Sequence, residues 1–191
     1  MFGGLRGLSA VVLAVLIVGG CVSPQGATTQ DKRHAILQMR SETLAKLYEL
    51  EPYAKTRIGK AVGYAVFSDI GVNLIFLSAA SGYGVVEDKR TGKRTYMKMV
   101  SGGLGIGLGV KDFRGIFVFT SRDALEQFVD SGWDASAQAD AAAKAGEKGA
   151  AWAGAVDVAP GVKLYQITEN GLALQATIQG TKYWKDDELN S

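Results

Sequence analysis

Residues 115–119 read Gly-Ile-Phe-Val-Phe, a short and wholly apolar run from which the rest of the chain can be interpreted. A strand of this kind is buried on both faces, so the run predicts a central strand. Thr120-Ser121-Arg122-Asp123 follows directly and fits a capping box, which predicts a helix ending at Gly132. The apolar face of that helix is formed by Ala124, Leu125, Phe128 and Val129. We therefore expect a strand with a helix packed on it at the centre of the fold.

Four runs before this centre are rich in β-branched and aromatic residues and predict strands. They are residues 61–67, 72–77, 82–87 and 94–100. Asp69-Ile70-Gly71 predicts a turn between the first two runs. Residues 88–93, which read Asp-Lys-Arg-Thr-Gly-Lys, predict a hairpin with a basic tip between the last two.

The segment 103–110 alternates glycine with Leu, Ile, Leu and Val, which predicts a strand with one bare face. A phosphate-binding loop is excluded there, because no window gives G-x-G-x-x-G and no Gly-Lys-Ser/Thr follows. Residues 135–153 are rich in alanine and glycine, and helix, strand and loop all remain open for them. Residues 162–168 and 172–178, joined by Glu169-Asn170-Gly171, predict a final hairpin.

An amphipathic helix is predicted over residues 31–50, because apolar residues recur there at spacings of three to five. These residues are Ile36, Met39, Leu44, Leu47 and Leu50. Thr29 or Gln30 would open the helix and Pro52 would close it, with a shorter helix over 54–60. Residues 185–191 are expected to be a polar tail. The fold class that follows is α+β: a single domain of mainly antiparallel strands, with an N-terminal helix and one or two further packed helices.

The N-terminus has the pattern of a bacterial lipoprotein signal over residues 1–20. Arg6 supplies a positive charge, residues 8–18 are apolar, and small residues lead into Cys21. We expect cleavage before Cys21 and lipid attachment to its thiol, with residues 21–30 as a tether. Because Cys21 is the only cysteine, no internal disulfide can form, and a lipid accounts for an unpaired thiol in an exported chain. An ordinary secretory signal with a chance cysteine is the alternative.

Composition narrows the possible functions. Removal of residues 1–20 takes away Arg6 alone, so 20 basic and 19 acidic residues remain of the 21 and 19 in the chain. This near-neutral balance argues against a nucleic-acid-binding protein. The residue after the lipidated cysteine is Val22, where an aspartate would suggest retention at the inner membrane. We therefore expect attachment to the outer membrane, facing the periplasm.

Groups that carry catalysis are scarce in the sequence. His34 is the only histidine and lies in the charged stretch Lys32-Arg33-His34, where we expect it to be solvated. No G-x-S-x-G motif occurs for a serine hydrolase, and Cys21 is expected to carry lipid rather than a metal. We predict no enzymatic activity, no catalytic residue, no metal and no cofactor.

Two groups of basic residues are the more informative charges. The first follows Pro52 and the second lies at the predicted hairpin tip. The residues are Lys55, Arg57 and Lys60, and then Lys89, Arg90, Lys93 and Arg94. Each cation near an anionic membrane contributes about 1 kcal/mol, so four or more give measurable binding. A tip that only makes the protein soluble is the alternative.

From Pro52 to about Trp184 the chain resembles the SYLF domain family of lipid-binding and actin-regulating proteins. The resemblance rests on an ordered series of segments rather than on any one of them. They are residues 60–67 (KAVGYAVF), 81–86 (SGYGVV), the glycine-alternating 102–109, 116–120 (IFVFT) with 124–128 (ALEQF), and the closing 170–172 (NGL) and 180–182 (GTK). Ser68-Asp69 departs from the proline that is common in the family after this strand.

The resemblance implies a non-enzymatic, phospholipid-binding domain over residues 31–184. In the family the lipid-binding basic residues lie mainly near the start of the domain, which points to Lys55, Arg57 and Lys60. Phosphoinositides and actin are ligands of eukaryotic members and are not expected in a periplasm. The function predicted from the sequence is therefore a membrane-anchored lipoprotein that binds phospholipid head groups, most readily anionic ones. The alternative is a structural or antigenic envelope protein that binds protein partners and has no lipid site.

Overall fold

The computed structural model describes residues 24–74, 77–104, 109–134, 152–168, 171–172 and 180–191. Four helices lie within these ranges: α1 (Thr29–Leu50), α2 (Tyr53–Lys60), α3 (Arg122–Asp130) and α4 (Asp187–Asn190). The strands are β1 (Gly63–Leu74), β2 (Leu77–Asp88), β3 (Arg94–Leu104), β4 (Gly109–Phe119), β5 (Trp133–Asp134), β6 (Ala155–Ala159), β7 (Val162–Thr168), β8 (Gly171–Leu172) and β9 (Thr181–Lys185).

The strands form one antiparallel sheet in the order β5-β9-β3-β2-β1-β4-β7-β6, with β8 beside the end of β7. This confirms the predicted α+β single domain with an N-terminal helix. The apolar run 115–119 forms the end of β4, which lies between β1 and β7, so it is a central strand as predicted. The hairpin with the basic tip is confirmed as β2–β3.

The turn predicted at 69–71 is wrong, because β1 continues through these residues. Asp69 pairs with Gly82 on β2 and with Phe113 on β4, so the backbone is hydrogen-bonded to strands on both sides. That pairing outweighs the local turn preference of an Asp-Ile-Gly sequence. The single strand predicted over 103–110 is also wrong. Its first residues belong to β3, which ends at Leu104, and its last residues belong to β4, which begins at Gly109.

Several predicted segments lie outside the described residues. They are Cys21 with the signal segment, residues 105–108, most of 135–153, and 169–170 and 173–178 of the last hairpin. Within that hairpin, β7 and the two residues of β8 pair antiparallel.

The C-terminal segment is not the polar tail expected over 185–191. β9 pairs with β3 over five residues, from Met97 opposite Lys185 to Ser101 opposite Thr181. α4 then begins with Asp186, whose side chain accepts a hydrogen bond from the Leu189 backbone at 3.2 Å. The Leu189 side chain is buried against α1 and the sheet. One buried leucine and a capping aspartate are enough to dock a segment that looks polar in sequence.

Both faces of the central strands are covered. Alternate residues of β1 belong to different clusters: Tyr64 and Val66 face α1 and α2, whereas Ala65 and Phe67 face α3. The same alternation occurs in β4, where Ile116 faces α1 and Phe117 faces α3. A strand buried on both sides has no polar alternation, which explains the unbroken apolar runs.

The sheet curls around a cluster of aromatic rings on the α3 side. Trp133 lies on β5, at one end of the strand order, yet its ring centroid is 5.5 Å from that of Phe117 on β4. Tyr183 and Phe128 also contact Phe117, at 5.3 Å each. Rings at these separations and tilts each add about 0.5–1.5 kcal/mol beyond their burial.

α1 lies across the other face of the sheet. Thr28 caps it, because its side chain accepts from the Asp31 backbone while Asp31 accepts from the Thr28 backbone, so Thr29 and Gln30 belong to the helix rather than to the tether. The buried positions include Ile36, Met39 and Leu47, as predicted. Leu50 differs, with 38% of its surface exposed. Among the described residues, no helix is long and apolar enough to cross a membrane.

We expect Gly84→Ala to destabilise the domain. Gly84 lies opposite Phe67, and an added Cβ would collide with the Phe67 ring and the Val66 carbonyl. Overpacking of this kind costs about 1–3 kcal/mol. Gly59→Ala is the matched control, since a Cβ on this α2 residue meets nothing within 4 Å and helix propensity favours alanine. Urea unfolding monitored by circular dichroism measures the unfolding midpoint of each variant. Equal midpoints for the two variants would contradict this packing.

Candidate functional site

α2 is a short helix that presents most of its surface to solvent. Ala54 and Ile58 are its buried residues. Tyr53, Lys55 and Lys60 are exposed, and Tyr53 is the most exposed large hydrophobic residue described, at 73%. Tyr53 and Lys60 are seven residues apart and therefore lie on the same side of the helix.

The basic hairpin tip lies against the C-terminal end of α2. Lys89 donates from Nζ to the Ile58 carbonyl at 3.1 Å and to the Gly59 carbonyl, and its backbone N–H donates to Val62 at 3.1 Å. A cation is favoured at this end of a helix, where carbonyls lack partners within the helix and the dipole is negative. The tip and the end of α2 are thereby joined. We call the basic surface the set Lys60, Lys89, Arg90, Lys93 and Arg94 at this junction, together with Lys55, which is exposed nearer the start of α2 and about 140° around the helix axis from Lys60.

The topology explains why these groups meet. α2 ends at Lys60 and β1 starts at Gly63, so the end of α2 lies beside the start of β1. Gly63 in turn pairs with Asp88, the last residue of β2 before the tip. Residues 30 positions apart are therefore neighbours at one end of the sheet.

Asp88 fixes the shape of the tip. Its carboxylate accepts from Arg122 at 2.7 and 3.1 Å, and from the Arg90 backbone at 2.8 Å. The hydrogen bonds from Arg122 hold the pKa of Asp88 at about 2, against an ordinary value of 3.8. Asp88 is therefore ionised throughout the physiological pH range, where it keeps its charge for the pair with Arg122.

Acidic neighbours reduce the charge of the tip. Glu87 accepts from Arg40 at 2.5 Å and from Arg94 at 3.3 Å, so two guanidiniums share one carboxylate. Burial raises the pKa of the adjacent Tyr64 to about 12, so its phenol stays neutral. Arg90 lies 4.0 Å from Glu126, with both side chains more than half exposed, a pair that contributes little.

Three lysines of the basic surface are exposed and have no ion-pair partner within the described part of the chain. They are Lys55, Lys60 and Lys93. A ligand that approaches these lysines does not have to break an existing salt bridge.

Arg57 differs from the other predicted residues, because its guanidinium is engaged inside the protein. It donates to the Tyr165 hydroxyl at 3.1 Å and to the Ala153 carbonyl at 3.2 Å, and lies 3.8 Å from Glu51. It also lies 5.4 Å from the centre of the Trp152 ring. Arg57 thus holds the segment before β6 against α2.

Trp152 lies close to a second cation, Lys163, whose Nζ is 5.2 Å from the ring centre. Lys163 is almost fully buried and pairs with Asp157 at 2.7 Å. Sequence reasoning missed this arrangement. The signal for Lys163 was a single lysine within the otherwise apolar run 162–165, whereas nothing in the sequence linked Trp152 to Arg57.

His34 is exposed on α1, as expected. Its neighbours Lys32 and Arg33 bind α4, through Glu188 at 2.6 Å and the Leu189 carbonyl at 2.9 Å. Among the described residues, no group of three histidine, cysteine or acidic side chains is placed to hold a metal ion.

No protein-family model matches the chain. A curated relative, Beta cell expansion factor A from Aeromonas veronii, is 37% identical over 164 residues, which is 85% of this chain and 60% of that protein. The chain therefore spans about 60% of the length of the curated relative it matches. The resemblance to the SYLF family stays a prediction from its sequence motifs.

We expect Arg57→Ala to destabilise the domain by about 1–3 kcal/mol, since it removes two hydrogen bonds and a cation–π contact. Lys55→Ala on the same helix is the control and should stay within about 0.5 kcal/mol of the parent, because Lys55 is exposed and unpaired. Denaturant unfolding measures the free energy of unfolding of both variants. An Arg57→Ala protein as stable as the parent would contradict this structural role of Arg57.

Proposed function

We propose that this protein is a non-enzymatic lipoprotein of the bacterial envelope whose domain binds anionic phospholipids through the basic surface. The observation that carries the proposal is the contact of Lys89 with the end of α2, which joins two basic groups into one surface. The anchor in this proposal is a lipid on Cys21, in the outer membrane and facing the periplasm. The resemblance to lipid-binding SYLF domains supports the same function.

The charge available for binding comes mainly from Lys55, Lys60 and Lys93. Near an anionic membrane each contributes about 1 kcal/mol. Arg40 and Arg94 share Glu87, which leaves a further positive charge beside them. Phosphatidylglycerol and cardiolipin are the anionic head groups that fit this chemistry.

Tyr53 adds an apolar contribution at the edge of the basic surface. A tyrosine ring with an exposed hydroxyl suits the membrane interface, where one end of the side chain is apolar and the other is wet. Leu50, the last residue of α1, is also exposed, so two apolar side chains are exposed where α1 leads into α2. Salt should therefore weaken binding strongly without abolishing it.

Binding is tested with a soluble chain that starts at Pro24. This start removes Cys21 and retains the cap at Thr28, which a start at Thr29 would delete. We expect it to co-sediment with phosphatidylglycerol vesicles at low salt, less at high salt, and not with phosphatidylcholine vesicles. Reversal of Lys55, Lys60 and Lys93 to glutamate should lower partitioning at least tenfold, since about 1 kcal/mol per cation is lost.

The control for this experiment reverses two lysines outside both the basic surface and β3, Lys46 and Lys185, and is compared with the double reversal of Lys60 and Lys93, which changes the net charge equally. An equal loss in both double variants would mean that net charge, not this surface, drives binding. Absence of binding at low salt, together with specific capture of an envelope protein, would favour the scaffold function instead.

A further inference from the structure

Two exposed apolar side chains lie together on the edge strands β3 and β9. Val100 and Trp184 are each 42% exposed. The register places Trp184 opposite Lys98 and Val100 opposite Lys182, so these four residues share one face of the sheet. We call it the edge face, and it is on the same side of the sheet as α1, because Tyr96 two residues before Lys98 packs in the α1 cluster.

The lysines of the edge face are neutralised, in contrast to those of the basic surface. Lys98 pairs with Asp186 at 3.2 Å, and Lys182 pairs with Asp134 at 3.1 Å. Their aliphatic stems lie in register with Trp184 and Val100. The edge face is therefore apolar at its centre, has ion pairs around it, and gains little from an anionic partner.

The edge face lies near the start of α1. β9 leads through Asp186 into α4, and Glu188 of α4 pairs with Lys32 in the first turns of α1 at 2.6 Å. Arg33 adds hydrogen bonds to the Leu189 and Ser191 carbonyls at 2.9 and 2.8 Å. Before the Thr28 cap the described chain stays against the protein, since Pro24 is buried and Gly26 lies against Asp31 at the start of α1. The three residues that lead from Pro24 to Cys21 reach at most about 11 Å when fully extended.

We infer that the edge face lies against the head-group region of the membrane that carries Cys21, with Trp184 and Val100 as the contacting side chains. The inference rests on the lipid anchor of the proposed function and assigns a second surface, separate from the basic one. Tryptophan is favoured at membrane interfaces, and lysines beside it keep their charged ends in the aqueous layer.

Two apolar side chains are too few for a stable protein interface, which buries about 800 Å² on each partner. A membrane contact does not need that area, because the anchor already holds the domain at high effective concentration. Weak contacts at the edge face are then enough to select one orientation of the domain relative to the membrane. The short tether limits how far this end of the domain can move from the bilayer.

The test uses lipidated protein recovered from the membrane fraction and reconstituted into phosphatidylcholine vesicles. Part of the phospholipid is brominated near the head-group end of its acyl chains, which quenches tryptophans that reach this depth. The chain has three tryptophans, so Trp184→Phe identifies the signal from this residue. We expect Trp184→Phe to remove most of the quenching, and Trp133→Phe in the core to leave it unchanged.

The quenching should not depend on salt or on added phosphatidylglycerol, because the lysines of the edge face are paired. It should also survive reversal of Lys55, Lys60 and Lys93. Quenching that is the same in Trp184→Phe, or that appears only at high protein density as a second copy covers the face, would overturn the inference. So would a native Cys21 found unmodified by mass spectrometry.

The two proposals fail separately. If Trp184 is quenched in the anchored protein but the soluble chain ignores anionic vesicles, the edge face stands and the basic surface does not. If the soluble chain binds anionic vesicles but Trp184 is not quenched, the basic surface stands and the edge face does not.

Discussion

Burial of both faces of β1 and β4 is the constraint on which the rest of the structure depends. Central strands with apolar side chains on alternate sides need a cover on each face. α1 and α2 cover one face, and α3 with the curled sheet itself covers the other. Because α2 has to pack beside the start of β1, it ends next to the β2–β3 tip. The basic surface is a consequence of how the core is covered.

The cationic side chains of the protein include two groups, those that bind other segments of the chain and those that have no ion-pair partner among the described residues. Arg57, Arg122 and Lys163 hold segments together through Tyr165, Asp88 and Asp157. Within the described residues, Lys55, Lys60 and Lys93 form no ion pair. Lys60 and Lys93 belong to the segments that Lys89 joins at the end of the sheet, and Lys55 lies in the first turn of α2. In a nearly neutral protein, the position of unpaired cations therefore matters more for binding an anionic surface than their number.

The fold class and most elements could be predicted from the sequence because their signals are local. The 3.6-residue period of α1, the apolar run 115–119 and the polar tip of β2–β3 each depend on nearby residues. The turn at 69–71 was wrong because strands from elsewhere in the chain pair with it on both sides. β9 and α4 were missed because a single buried leucine carries the packing of α4. For the site, sequence identified the basic residues but not their roles, since only the fold brings Trp152 and Tyr165 to Arg57.

The central claim is that two basic groups, distant in sequence, act as one lipid-binding surface. The most direct measurement is a nuclear magnetic resonance titration of the soluble, isotope-labelled domain with anionic bicelles. We expect the backbone amides of 53–60 and 89–94 to shift together and to saturate at the same lipid concentration, while those of 128–131, at the end of α3 away from the tip, stay in place. Shifts confined to one of the two groups, or centred on 128–131, would contradict this.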